Sequence, residues 1–493
     1  MGIIIPVYAG VISNWCIDIS DSDIPIWFSM AIETPSPLLT VNVWTSYIII
    51  NFSLAFFTYV ARWPPKSWNF WINVVTTTIG TVFNEFPLYI ISLKVWMWFA
   101  VVIMEAWIVV SITKSPLIHF LAFTSEIFTI FILAHNFYKN YKSRRIVHAY
   151  THTFEHYGPE LSNITSTNFW LRFMLPLYLP TNVKVFRNIT YGTLQELQEV
   201  GKENASYLKL DIYVPKHVKK ADRRPIMLFI HGGSWITMDK SIPFPQPFYL
   251  SSNGWIVCSI NYRLAPKNPY PACLIDCKRA LRWIKENIDS YGGDPNFIAV
   301  SGDSAGGHLA ALMSLTMNDK CYQPGFEYAD TNVQACVCIN GVYDVTNQHN
   351  AFTPLFTKWF VKIICGKSFD ENGNDAREML ENASPEILVK RKVDNDEKIV
   401  PFLVFHGDND QLVNIKCCRE FIKTFRKYAP KSDLVYIEFP GAHHAYHSVS
   451  SPRNHYSLIA ILRFLNWVYH TSSGSNNITD LNGKKILFKG KEE

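Results

Sequence analysis

The sequence predicts a mostly parallel, doubly wound α/β sheet preceded by an α-helical transmembrane region, on three observations. From about Thr40 to His135 nearly every residue is apolar, with charged residues appearing singly. From about Asn188 onward, short β-branched runs alternate with stretches of helical periodicity, the pattern of strands joined by covering helices. A glycine-flanked serine falls between one such strand and the helix after it. The 493-residue length accommodates more than one unit. The expected organisation is a membrane region of three or four hydrophobic helices over residues 1–145, a linker or cap segment over 146–190, the α/β domain over 191–472 and a polar tail over 473–493.

A spanning helix takes about 20 mostly apolar residues. Thr40–Ala61 meets this and is closed by Arg62, Pro64, Pro65 and Lys66. Phe70–Leu93 is a second candidate, interrupted by Asn84, Glu85 and Pro87; Val95–Thr113 is a third and Leu117–Ala134 a shorter fourth. Tryptophans near several ends suit interfacial anchoring. Glu105 and Glu126 fall within apolar runs, where each is expected to pair with a polar neighbour between helices. The first residues lack the basic region and clean apolar stretch of a cleavable signal peptide, so anchoring is expected from helices. The basic run "KNYKSRR" (Lys139–Arg145) reads as juxtamembrane.

These features imply a multi-pass protein of the endoplasmic reticulum or another endomembrane, with the membrane as a partner. They do not set its sidedness. A true fourth span carries the basic run across, against the positive-inside tendency, whereas an interfacial fourth segment leaves the large domain cytosolic. The N-x-S/T sequons at Asn163, Asn188, Asn204 and Asn477 instead suit a lumenal, glycosylated domain.

The net charge of +5 is small. The cluster at Lys216–Arg224 reads as a solvated loop, and without aromatic interleaving or a binding-fold motif no nucleic-acid partner is implied. The ten cysteines form no CxxC pair and no Cys/His spacing typical of zinc. Cys258, Cys336 and Cys338 lie in strand-like apolar runs as small core residues. Cys273, Cys277, Cys417 and Cys418 are left as candidates for a disulfide.

Within the α/β domain the expected strands are Leu208–Val214, Ile226–Ile230, Trp255–Ile260, Phe297–Ser301, Val333–Ile339, Phe402–Phe405 and Leu434–Phe439. Pro271–Asn287, Ser304–Met317, Ile415–Tyr428 and Tyr456–Tyr469 carry helical periodicity. Functional residues of such sheets collect beyond the carboxyl ends of the strands. There, "FIAVSGDSAGGHLAALM" runs from strand through Gly302-Asp303-Ser304-Ala305-Gly306 into helix, the context of a nucleophile elbow. A serine hydroxyl needs a base to take its proton and donors for the developing oxyanion. "FIHGGSW" ends an earlier strand with Gly232 and Gly233, whose amides can supply those donors together with that of Ala305. After the Phe402 strand "HGDNDQLV" offers Asp408 and Asp410, and after the Leu434 strand "PGAHHAYH" offers His443, His444 and His447. The chain order serine, acid, histidine is that of this elbow architecture.

The motifs "HGGSW", "SINYRLAP", "YGGDP", "GDSAGGH", "HGDNDQLV" and "PGAHHAYH" together resemble the hormone-sensitive-lipase-type (α/β hydrolase fold-3) esterases. More closely, they resemble a membrane-anchored carboxylesterase group known from mycobacteria, whose N-terminal segment "FNEFPLY" also resembles. The resemblance implies an α/β-hydrolase fold and a lipase-like serine hydrolase cleaving lipophilic or acyl carboxylic esters. It selects Asp410, before two residues and a valine, as the acid, and His444, before a small residue and an aromatic, as the base. Ser304 is then the nucleophile, and His443 and His447 are bystanders. "HGGS" departs from the family's third glycine, leaving open whether Gly232 with Gly233, or Gly233 with the Ser234 amide, faces the oxyanion. No metal or organic cofactor is implied. Alternative readings are an isoprenylcysteine methylesterase- or formamidase-like hydrolase, and a non-catalytic binding protein on the same fold. The aromatic run Phe352, Phe356, Trp359 and Phe360 forms either part of a cap or a helix packed on the core.

Overall fold

Seven apolar runs and one that is not apolar pair into a single eight-stranded sheet of order β1-β2-β4-β3-β5-β6-β7-β8. The strands are β1 (Val183–Thr190), β2 (Lys209–Pro215), β3 (Arg224–Ile230), β4 (Ile256–Ile260), β5 (Gly293–Asp303), β6 (Ala335–Ile339), β7 (Phe402–Gly407) and β8 (Leu434–Phe439). The structure, a computed structural model, describes residues 53–59, 77–79, 81, 85, 116–161, 182–367 and 374–473.

From β4 through β8 all neighbours are parallel. Strands buried on both faces read as continuous hydrophobic runs, which is why the inner strands were recognisable; every residue of β4, β6 and β7 is buried. β1 is the strand with no counterpart in the sequence-based expectation. It is an antiparallel edge strand paired only with β2, and none of its residues is fully buried. Its lysine, arginine and asparagine therefore break the apolar signal.

The described α-helices are α1 (Pro116–Thr151), α2 (Leu194–Val200), α3 (Pro245–Ser252), α4 (Ala272–Asn287), α5 (Ala305–Leu315), α6 (Pro354–Trp359), α7 (Asn374–Asn382), α8 (Pro385–Asp394), α9 (Ile415–Tyr428) and α10 (Pro452–Ser473). One face of the sheet packs on α4, α5, α8 and α9, with Leu281, Leu309, Leu388 and Phe421 in one apolar core. The other packs on α1, α3 and α10, with Val147, Leu250 and Phe464 in a second. The sheet is thus closed on both sides, and its chemistry is confined to the loops at its carboxyl edge.

The membrane expectation is corrected by two findings. Among the described residues, no helix is long and apolar enough to cross a membrane. The Leu117–Ala134 segment is the leading half of α1, a 36-residue helix, and "KNYKSRR" is not a juxtamembrane run but part of the same helix. Asn140 and Ser143 within it are fully buried, and its last residue, Thr151, accepts a hydrogen bond from Arg463 of α10 at 3.4 Å. The helix's second half is therefore docked on protein. Glu85, in the second candidate span, is 2% exposed and is ion-paired with Arg453, beside Ser451 at 2.5 Å. A carboxylate committed to the α/β unit is unsuited to a lipid-facing span. The transmembrane region, the membrane as partner and the multi-pass endomembrane location are therefore not retained. Val95–Thr113 with Glu105, most of Thr40–Ala61 and the sequons at Asn163 and Asn477 lie outside the described residues.

Among the described residues nine cysteines, Cys273, Cys277, Cys417 and Cys418 included, are free thiols. In the aromatic run, Phe360 is fully buried and meets Trp235 edge-on at 5.1 Å, while Phe352 and Phe356 stack at 4.2 Å. This segment packs on the core.

Candidate active site

Each expected functional residue lies at or just beyond the carboxyl end of β3, β5, β7 or β8. At the end of β5 the chain turns sharply, and Ser304 takes φ 53°, ψ −119° before α5 begins. A non-glycine residue with positive φ costs on the order of 1–3 kcal/mol, so its surroundings must hold it there. The Ser304 N–H donates to the Ile339 carbonyl at 2.8 Å, and the Ser304 carbonyl accepts the His308 N–H at 3.0 Å. The flanking glycines leave no room for a side chain: a Cβ on Gly306 would lie 2.0 Å from the Ile230 oxygen, and one on Gly302 2.3 Å from the Gly306 oxygen. Ser304 is half-buried while both neighbours are buried, so its hydroxyl is the accessible group of the turn.

The loop after β3 presses against this turn. A Cβ on Gly232 would lie 2.5 Å from Asp303 Oδ2 and 3.1 Å from Ser304 Cβ. Gly233 has φ 105°, and a Cβ there would meet the Thr237 carbonyl oxygen at 2.1 Å. The Tyr262 hydroxyl donates to the His231 and Gly232 carbonyls at 2.9 and 3.3 Å, with its ring stacked on His231 at 4.5 Å between centroids. In a trans peptide the N–H points opposite to the C=O. The Gly232 and Gly233 amides are consequently directed away from Tyr262. Ala305, as the first residue of α5, carries an N–H without an intrahelical acceptor.

The loops after β7 and β8 carry the acid and histidine pair. His444 Nδ1 is 2.6 Å from Asp410 Oδ2, and since a carboxylate only accepts, Nδ1 carries the proton. Asp410 Oδ1 accepts the Leu412 and Val413 N–H groups, each at 2.9 Å. Burial pushes the Asp410 pKa up, but the charge and hydrogen bond of His444, with help from His406 and the Val413 amide, hold it below the ordinary value. Burial pushes His444 down, and Asp410, assisted by Asp303, more than offsets this and raises it. The pair is therefore poised to stabilise an imidazolium.

The three histidines of the last motif take three different partners. His443 Nε2 meets Asn409 Nδ2 at 3.1 Å, His444 meets Asp410, and His447 Nε2 lies 3.3 Å from Asp303 Oδ2. Asp408 Oδ1 accepts the Gly441 N–H at 2.5 Å, so it ties the acid loop to the histidine loop rather than contacting an imidazole. The sequence-based reading names neither the Asp303–His447 pair beside the elbow nor Asn340.

Asn340, fully buried just after β6 at φ 49°, donates from Nδ2 to the His444 carbonyl and accepts the Gly407 N–H at 3.1 Å. It thereby bridges the acid and histidine loops. Nothing local marks it except an asparagine before a glycine at a strand end, where asparagine tolerates the left-handed region. Asn340→Ala strands both backbone groups and is expected to cost about 1–3 kcal/mol, read as a lower urea midpoint at unchanged slope.

A family model described as BD-FAE matches residues 210–425. "Probable carboxylic ester hydrolase LipM" of Mycobacterium tuberculosis is 37% identical over 59% of this chain and 64% of its own length. "Esterase LipQ" of the same organism is 37% identical over 56% of this chain and 62% of its own. "Esterase LipC" is 35% identical over 50% and 59%. The chain thus spans less than two thirds of the curated relatives it matches. The kinship with mycobacterial carboxylesterases stands, whereas the hormone-sensitive-lipase-type assignment does not: the matching family model is a different one. The largely parallel sheet is thus of the α/β-hydrolase type, and over about half of its length the chain is similar to proteins described as esterases and carboxylic ester hydrolases.

Proposed function

We propose that this enzyme hydrolyses carboxylic esters through Ser304, His444 and Asp410. Ser304 Oγ attacks the ester carbonyl carbon as His444 Nε2 takes its proton, and Asp410 holds the Nδ1–H tautomer and stabilises the cation that forms. The carbonyl π electrons move onto oxygen, which accepts hydrogen bonds from the Ala305 amide and from the Gly232 and Gly233 amides of the preceding loop. Collapse of that intermediate breaks the C–O bond. The departing alkoxide takes the proton from His444 and leaves as alcohol, and the acyl group stays on Ser304. Water, deprotonated by His444, then attacks the acyl-enzyme; the Ser304–acyl bond breaks, Oγ regains its proton, and the free acid is released.

The observation that carries this reading is the 2.6 Å contact between His444 Nδ1 and Asp410 Oδ2 at the sheet edge where Ser304 is held in a strained turn. Labelling with a fluorophosphonate probe tests it: wild type should label and Ser304→Ala should not, with p-nitrophenyl ester hydrolysis lost in parallel. Labelling of both proteins, or of neither, would sink the assignment of Ser304.

A further inference from the structure

Two buried carboxylates and an imidazole converge away from the elbow, between the loop that follows β6, the first turn of α8 and the side of α9. Asp344 and Glu386 are 1% and 3% exposed. Asp344 Oδ1 is saturated, accepting the Thr346 N–H at 2.9 Å, the Asn347 N–H at 3.0 Å and the Thr346 hydroxyl at 2.5 Å. Glu386 Oε1 accepts the Thr424 hydroxyl at 2.8 Å and lies 2.8 Å from His349 Nε2. The second oxygen of each, Asp344 Oδ2 and Glu386 Oε2, is buried with no hydrogen-bond partner among the described residues. One ligand atom from each of Asp344, His349 and Glu386 lies within 4.8 Å of the other two.

Leaving a buried carboxylate oxygen unpaired is costly, on the order of 1–3 kcal/mol or more for a charged group, and here two carboxylates of one cluster each keep such an oxygen. Burial raises the Glu386 pKa, the His349 and Thr424 bonds oppose it, and the Asp344 charge adds to the rise. A hydrogen bond or a cation is what both oxygens lack.

We propose that Asp344, His349 and Glu386 form a structural site for a divalent transition cation of the zinc class. Calcium and magnesium favour all-oxygen shells, whereas an imidazole with two carboxylates suits zinc. Ligand atoms around a tetrahedral zinc, bound at roughly 2.0–2.2 Å, stand about 3.3–3.5 Å apart, so the present spacing needs small side-chain rotations. The ion replaces the proton between His349 Nε2 and Glu386 Oε1. A water completes the shell from the side of His349, which is 31% exposed. Bound there, the cation fastens the β6 loop to α8, and through Thr424 to α9.

Sequence spacing could not reveal the site, because Glu386 is 37 residues beyond His349. The test is calorimetric titration of the chelator-treated full chain with zinc chloride, paired with melting curves. The free thiols, nine among the described residues, can bind zinc adventitiously, so the comparison is wild type against Glu386→Gln and His349→Ala. Wild type should bind one equivalent more than either variant, at least ten-fold more tightly than any residual binding, and should melt higher with zinc; the variants should not gain that increment. Should Glu386→Gln fail to fold, His349→Ala at its partly exposed position carries the comparison. Equal stoichiometry and equal melting shifts in wild type and variants, or no zinc-dependent shift in wild type, would overturn the proposal.

Discussion

Asp410→Asn is expected to lower kcat/KM for a p-nitrophenyl ester by about 10³–10⁴ while leaving the protein folded. Asparagine keeps the shape, and its oxygen can still accept the Leu412 and Val413 N–H groups that Asp410 Oδ1 accepts at 2.9 Å. What disappears is the charge facing His444 Nδ1 at 2.6 Å and, with it, both the tautomer preference and the stabilisation of the imidazolium. The pH profile gives a sharper reading than the rate alone. Neutral His444 is the required base, so kcat/KM should rise with pH through the His444 pKa of the free enzyme. Burial pulls that pKa down and Asp410 more than offsets it, which puts the wild-type midpoint above the ordinary histidine value of about 6.5. In Asp410→Asn the offset is removed and burial remains, so the midpoint should move to lower pH as the plateau falls. A plateau loss with an unmoved midpoint would mean that Asp410 does not act on the titrating group. The same measurement on Asp408→Asn should show little of either effect, because Asp408 accepts the Gly441 amide and, among the described residues, pairs with no imidazole.

How much of this could be read from the letters depends on which physical constraint wrote them. Gly302 and Gly306 are legible because backbones approach so closely there that a Cβ would fall 2.3 and 2.0 Å from a neighbouring carbonyl oxygen, and Gly232 because one would fall 2.5 Å from the Asp303 carboxylate. β4, β6 and β7 are legible because strands covered on both faces must be apolar throughout, and β1 is not, because an exposed edge strand imposes no such demand. Asp408 and Asp410 are two residues apart in one loop and were separated only by resemblance to relatives; their different partners are a product of loop geometry that composition does not encode. Asn340 and the Asp303–His447 pair were invisible for the same reason, since each contact joins segments more than 60 residues apart. The largest misreading came from hydropathy itself. The leading half of α1 is apolar and keeps Ile127, Phe128, Ile130 and Phe131 exposed, whereas Asn140, Ser143 and Val147 in its second half are buried in a packed interface; the helix as a whole is not apolar enough for a span.

Glu85→Ala should destabilise the enzyme by about 3–5 kcal/mol, the usual consequence of leaving a buried charge without its partner. The stranded group is Arg453, 1% exposed, whose Nη1 pairs with Glu85 and whose Nη2 donates to the Pro440 carbonyl at 3.2 Å. Ser451 connects the pair to α10: its hydroxyl donates to Glu85 Oε2 at 2.5 Å and accepts the Asn454 N–H at 3.2 Å, the N-cap arrangement for the helix that follows. Glu85 thus places negative charge at the positive end of the α10 dipole as well as against Arg453. Urea unfolding should report the loss as a lower midpoint, and the double variant Glu85→Leu with Arg453→Met should recover most of it, because replacing both charges removes the desolvation penalty together with the attraction. Single variants without effect, or a double variant no better than the singles, would mean the pair does not form. Since Pro440 opens the loop that delivers His444, loss of Arg453's grip on its carbonyl should also lower ester hydrolysis per folded molecule, whereas a merely global destabilisation would leave activity below the unfolding transition unchanged. Glu85 then acts on the histidine loop through its ion pair with Arg453, which accounts for a carboxylate in the middle of an apolar run.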